Sequence, residues 1–176
     1  MIGSGRLNRL AERLKRHDHR AGEKIFDEFA PKLFRFFVAR TARREVAEDL
    51  TQEVFSKVVG RIETFDASRG NFVAWMWQIA RNTLTDHFRK VSPLPFSDVP
   101  EVEHVAAGGS DPTRQAKFDE VMATLRSLSE EEQEIFSLRY LADVPYRDIG
   151  RITGKSEGAL RVIIQRVLAK LREKLQ

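Results

Sequence analysis

Apolar residues recur along this chain at steps of three and four, the period of amphipathic helices. Leu7, Leu10 and Leu14 give a short stripe near the N-terminus, which predicts a helix or a partly frayed, solvated arm. Ile25, Phe29, Leu33, Phe36 and Phe37 give a stronger stripe over 21–40, and five phenylalanines between 26 and 37 make this the main core-forming element. Pro31 lies inside it. A proline there removes one hydrogen bond and crowds the preceding turn, so a kink or break near Ala30 is expected. Val46, Leu50, Val54, Phe55 and Val58 predict a helix over 45–60, with Gly60 as its stop. Asp66, Ser68, Gly70 and Asn71 then cluster as turn chemistry. A long pattern follows to Lys90: Phe72, Met76, Ile79 and Thr83, widened by Trp75, Ala80 and Leu84.

The periodicity stops at 93–111. That stretch holds three of the six prolines and two adjacent glycines, with no Lys or Arg, which reads as a linker. Asp111-Pro112 is a helix start, an Asp cap with Pro in the first turn. Phe118, Val121, Met122 and Leu125 form the inner face of that helix. Ser129 followed by Glu132 is a capping box. It opens a helix whose apolar residues are Ile135, Phe136, Leu138, Tyr140 and Leu141. Pro145 starts a short helix that Gly154 ends, and Ser156 caps a long one. Leu160, Ile164, Val167, Leu168, Leu171 and Leu175 line the inner face of the long helix. Short helix, glycine turn and second helix make a helix-turn-helix pattern, with Gly150 small where the two would cross. The expected fold is all-α: two small helical domains joined by a flexible linker. The expected divisions are a basic N-terminal arm over 1–20, a first domain over 21–92, a linker over 93–111 and a second domain over 112–176.

Charge adds a direction. The net charge of +4 is unevenly spread: residues 1–24 carry +4, 91–113 carry −4 and 155–176 carry +4. Two basic segments around an acidic middle suit a chain that touches nucleic acid at two places; terminal helices are also basic for solubility alone. The absence of cysteine excludes a disulfide framework, a thiolate metal site and a Cys nucleophile. Neither a membrane-spanning run nor a signal peptide is expected. Nucleotide-binding and hydrolase motifs are absent, and His17, His19, His87 and His104 are scattered. Neither a metal nor a cofactor is expected.

The candidate chemistry lies on outer faces. Gln78, Arg81, Asn82, Thr85 and Arg89 form a continuous row of polar side chains on the long helix, with Trp77 and His87 nearby. Such a row can hold phosphates while aromatics stack bases, worth roughly 1–3 kcal/mol per base. An ordinary solvated face is the plainer alternative. Asp49, Gln52 and Glu53 share an acidic face with Glu45 and Glu48. That face would repel DNA, so its partner is a protein, or it is simply solvated. Arg161, Gln165 and Arg166 on the last helix suit a major groove, where Arg matches guanine and Gln matches adenine. Lys155 and Ser156 suit a phosphate at that helix's start.

The pattern F-D-x-x-R-G-x-F-x-x-W-x-x-x-I-A-R-N-x-x-x-D-x-x-R runs from Phe65 to Arg89 with twelve specified positions. It resembles the promoter-melting region of bacterial sigma factors, most closely the extracytoplasmic-function (ECF) group of the sigma-70 family. The resemblance covers about 21–90 and 112–175. It implies a protein that binds core RNA polymerase, recognises −10 and −35 promoter elements and promotes melting, and that is not itself an enzyme. It implies that Asp49, Gln52 and Glu53 dock on the β′ clamp helices, with the β subunit as a further polymerase contact. It implies that the loop Thr64–Asn71, with Phe65, Ser68, Arg69 and Asn71, captures an extruded −10 base. Arg81, Asn82, Asp86 and Arg89 would hold flanking nucleotides. It assigns −35 reading to Lys155, Ser156, Arg161, Gln165 and Arg166. Val162 and Ile163 depart from the polar and basic residues usual there, which bears on −35 preference. The resemblance further implies an anti-sigma partner and a cytoplasmic protein, held at the membrane only through such a partner. Two rivals stand beside this reading. One is a helix-turn-helix regulator that ignores core polymerase. The other is a degenerate homologue that only titrates an anti-sigma factor.

Overall fold

The computed structural model describes residues 3–91 and 120–174. The linker over 93–111 and the Asp111-Pro112 helix start lie outside these residues. Among the described residues every regular element is helical.

Helix α1, Ser4–Lys15, is docked rather than solvated: Leu7, Leu10 and Ala11 are buried against the first domain. This corrects the expectation of an arm, because the stripe of Leu7 and Leu10 gains a partner in α2 and α4. Helix α2, His19–Thr41, starts at Asp18, whose carboxylate accepts from the Ala21 N–H at 3.3 Å. It runs unbroken through Pro31, against the expected break. One lost hydrogen bond there is outweighed by burial of Ile25, Phe29, Leu33, Phe36 and Phe37 on one face, each such side chain contributing about 1.5–3 kcal/mol. Ala42 closes the helix at φ 57°.

Helix α3, Arg44–Arg61, continues past Gly60 and tightens into a 3₁₀ turn at Ile62–Thr64. Its buried stripe is Ala47, Leu50, Thr51, Val54 and Val58, with Val46 and Phe55 half-buried. Helix α4, Phe72–Val91, crosses this layer. Phe72, Met76, Trp77 and Ala80 are fully buried in it. Trp77 meets Phe36 edge-on with ring centroids 5.3 Å apart. It is therefore a core residue, not a free stacking platform.

In the second domain, residues 120–126 form α5 and Glu130–Phe136 form α6. The capping box is present in full: Ser129 and Glu132 each bond the other's backbone N–H. The helix then widens to π geometry over Ser137–Leu141, and Ala142 donates to the Ser137 carbonyl at 3.0 Å. Helices α7, Tyr146–Thr153, and α8, Glu157–Lys174, make the helix-turn-helix. Gly154 supplies φ 74° at the turn. A Cβ on Gly150 would sit 2.8 Å from the Lys155 carbonyl oxygen, so only glycine fits this crossing.

Candidate nucleic-acid interface

The loop between the 3₁₀ turn and α4 is built from turn chemistry. Asp66 accepts from the Ser68 N–H at 2.9 Å and its hydroxyl at 2.7 Å, and these bonds hold its carboxyl below the usual range. Ser68 and Arg69 stand out in solvent, with Arg69 3.3 Å from Asp66. Thr64 is exposed and donates to the Arg61 carbonyl. Phe65 is not available on the surface. It is buried between Phe72 and Trp75, so its ring anchors the loop. Asn71 is also buried; its Oδ1 caps α4 by accepting from the Ala74 N–H at 2.8 Å.

The outer row on α4 is as the periodicity predicts. Asn82 and Arg89 are exposed, Arg81 and Asp86 half-exposed. Gln78 donates to Asn82, and Arg89 pairs with Asp86 at 3.0 Å. A groove between α3 and α4 is lined by Lys57, Arg61, Asn82, Thr83 and Asp86. Lys57 and Arg61 are cations that sequence pattern assigned to no site. Their signal is a four-residue spacing on the side of α3 that turns toward α4. Burial lowers the pKa of nearby His87.

The acidic face of α3 is exposed: Glu45, Glu48, Asp49, Gln52 and Glu53 all reach solvent. Glu53 pairs with Lys57 at 2.7 Å. On α8, Arg161, Val162, Gln165 and Arg166 share the exposed side, while Ile163 is half-buried against the core. Arg161 lies over the Tyr146 ring at 4.8 Å and beside Glu157 at 3.5 Å. Ser156 caps α8 by accepting from the Ala159 N–H, and Lys155 reaches Glu131 at 2.7 Å.

The two domains are docked on each other through the start and the outer polar row of α4. Arg81 donates to Glu134 at 2.6 Å and reaches the Ile152 carbonyl. The Asn71 amide donates to Asp148 at 2.6 Å, and Asp148 is only 1% exposed. Arg40 donates to the Glu130 carbonyl and to Gln133, and Arg35 to the Leu141 carbonyl. Ala142 and Val144 line a small apolar gap with Val73 and Trp77. Of the residues read as −10 contacts, Asn71 and Arg81 are thus engaged by carboxylates of the second domain, while Ser68, Arg69, Asn82 and Arg89 are exposed and have only local partners.

Fold and sequence pattern define an all-helical protein with a helix-turn-helix in its second half. Residues 25–93 match the family model described as sigma-70 region 2, and residues 118–171 match that of sigma-70 region 4. The chain is 29% identical over 175 residues to the ECF RNA polymerase sigma factor BldN of Streptomyces coelicolor, covering 96% of this chain and 65% of that protein. It is 30% identical over 131 residues to the ECF RNA polymerase sigma factor SigC of Mycobacterium tuberculosis, covering 74% and 70%. A solved structure of the sigma factor RpoE with the anti-sigma factor NepR, from Bartonella quintana, is 25% identical. Its TM-score is 0.69, with 87% of this chain and 95% of that one covered. The chain belongs to the ECF group of the sigma-70 family.

Proposed function

We propose that this chain binds core RNA polymerase, brings it to promoters and holds the melted −10 strand. The observation that carries the reading is the pairing of two surfaces in one chain. One is the twelve-position pattern over loop and α4; the other is the exposed Arg161, Gln165 and Arg166 on α8. Asp49, Gln52 and Glu53 serve as the polymerase contact, since an exposed acidic face beside basic DNA-facing residues fits a protein partner. The loop tip at Ser68 and Arg69 meets an extruded base, whose unpairing costs a few kcal/mol. Arg81, Asn82, Asp86 and Arg89 hold its neighbours, with the exposed Arg61 available to phosphates. Arg161, Gln165 and Arg166 read the −35 duplex, with Val162 as an apolar contact to a thymine methyl. Bond making belongs to the polymerase, so no catalytic residue is assigned here. The protein works where its polymerase works, in the cytoplasm; among the described residues no helix is long and apolar enough to cross a membrane. An anti-sigma factor is a fitting partner, as RpoE of Bartonella quintana was solved with one.

Docking of the second domain occupies Arg81 and Asn71, so promoter reading requires the domains to part. Gel filtration with purified core tests the reading. Co-elution as a 1:1 complex, lost in Asp49→Ala/Gln52→Ala/Glu53→Ala, is the expected result. A DNA-binding dimer that ignores core contradicts it.

A further inference from the structure

The loop over 65–71 is held at both ends by α1. At its start, Lys15 donates to the Phe65 carbonyl, and the same ammonium lies 5.6 Å from the centre of the Phe65 ring. At its end, Asn8 accepts from the Phe72 N–H at 2.8 Å. That N–H is one of the donors a helix start leaves without an internal partner. Asn71 satisfies another, from Ala74, locally. Asn8 and Lys15 are seven residues apart on one helix, two turns or about 10.5 Å along the axis. They therefore meet the two ends of the loop from one face. Leu7, next to Asn8, and Leu10 and Ala11, between the two, are buried and fix α1 in place.

Between these anchors the loop shapes itself. The Asp66–Ser68 turn sets the form of the tip, and Ser68 and Arg69 face solvent. Local bonds thus give the tip its shape, while the bonds to α1 fix its aim relative to α4. We infer that Asn8 and Lys15 are positioning residues for base recognition: α1 decides which extruded base the loop accepts. This rests on the reading of the loop as the base-capturing element. A displacement of the loop by a fraction of an ångström is enough to mismatch hydrogen bonds to a base edge, because such bonds weaken steeply with geometry.

The test uses the full chain assembled with core RNA polymerase. Fork-junction DNA with a randomised single-stranded −10 region first gives the preferred base at each position. Four fragments differing only at the most selective position then measure preference as an affinity ratio. Asn8→Ala is expected to cut that ratio by about fivefold, the scale of one neutral hydrogen bond, and Lys15→Met, which removes a charged donor, by at least as much. Affinity for core and for −35 duplex stays as in the unaltered protein. Asn8→Asp keeps the acceptor oxygen and Lys15→Arg keeps the cation, and both are expected to restore the ratio. A purely structural role gives another pattern: binding to all four fragments falls together, or the conservative variants fail to rescue. Either of those results overturns the inference, as does a ratio left unchanged. A wild-type holoenzyme with no preference among the four bases sinks the parent reading instead.

Discussion

Glu132 shows how much one side chain sets in this protein. Its Oε1 accepts from Lys170 at 2.7 Å, while its Oε2 accepts from the Ser129 N–H and hydroxyl. The Lys170 bond, with help from Ser129, holds its carboxyl below the usual range against the opposing effect of burial. A carboxyl lowered in the folded state contributes stability that is complete above its unfolded value, about 4.3. That contribution drains away as pH falls through the lower folded value. Glu132→Gln should therefore lower the urea midpoint at pH 7, and the gap should close as pH drops below 4. A gap that persists in acid would mean that packing, not charge, is what Glu132 supplies. Arg161 is a second case, at the functional surface. Its guanidinium rests on Tyr146 beside Glu157 and is exposed. Arg161→Ala should weaken −35 duplex binding by about 1–3 kcal/mol if it reads a base. Measured against salt, that loss would persist for the preferred sequence and vanish for a scrambled one. Equal losses on both sequences would reduce Arg161 to a phosphate contact.

At the scale of elements, most of the fold was legible in the sequence. The stripes of α2, α3, α4 and α8, the Ser129–Glu132 box and the Gly150–Gly154 turn follow local rules of period, cap and φ, and the structure contains each of them. Three features lay beyond local rules. Pro31 was expected to kink or break α2, and the helix is not broken, because continuity is decided by burial along the whole face. The π widening over Ser137–Leu141 falls where Leu138 and Val144 are buried and the Val144 N–H donates to the Leu138 carbonyl at 2.9 Å. The docking of α1 depends on tertiary partners in α2 and α4, those bonded by Lys15 and Asn8 lying 50 and 64 residues away, which short-range periodicity does not contain. If α1 is structural in this sense, Leu10→Ala should cost about 2–4 kcal/mol by the cavity it leaves. Urea unfolding of the full chain measures this. A loss under about 0.5 kcal/mol, the range of an ordinary surface change, would return α1 to the solvated arm that its charge suggested.

At the scale of the whole molecule, the candidate site was legible as a list of residues but not as a state. The row Gln78, Arg81, Asn82, Thr85 and Arg89 was visible from spacing alone, and Asp86 joined it only through the family resemblance. Its partners Glu134 and Asp148 lie 53 and 77 residues from Arg81 and Asn71, across the linker, where no pattern connects them. Phe65 was misplaced for a related reason. Its match to a DNA-contacting motif hid that its ring fills the space between Phe72 and Trp75. Under the proposed reading the docked second domain competes with the strand, since its carboxylates bond Asn71 and Arg81. Glu134→Arg places a like charge against Arg81 and should part the domains. Small-angle scattering should then show a larger radius of gyration and, with it, faster −10 strand binding by the variant. An unchanged radius would mean that the remaining contacts, among them the Asn71–Asp148 bond and those of Arg35 and Arg40, suffice to keep the domains together.

The claim on which the rest depends is that this chain gives core polymerase its promoter choice. Run-off transcription from a pool of genomic fragments, with purified core and read by sequencing, tests it most directly. The expected result is a small set of start sites that share upstream −10 and −35 sequences, appear only when the chain is added and are lost in Arg81→Ala. Transcripts that are the same with and without the chain would contradict it.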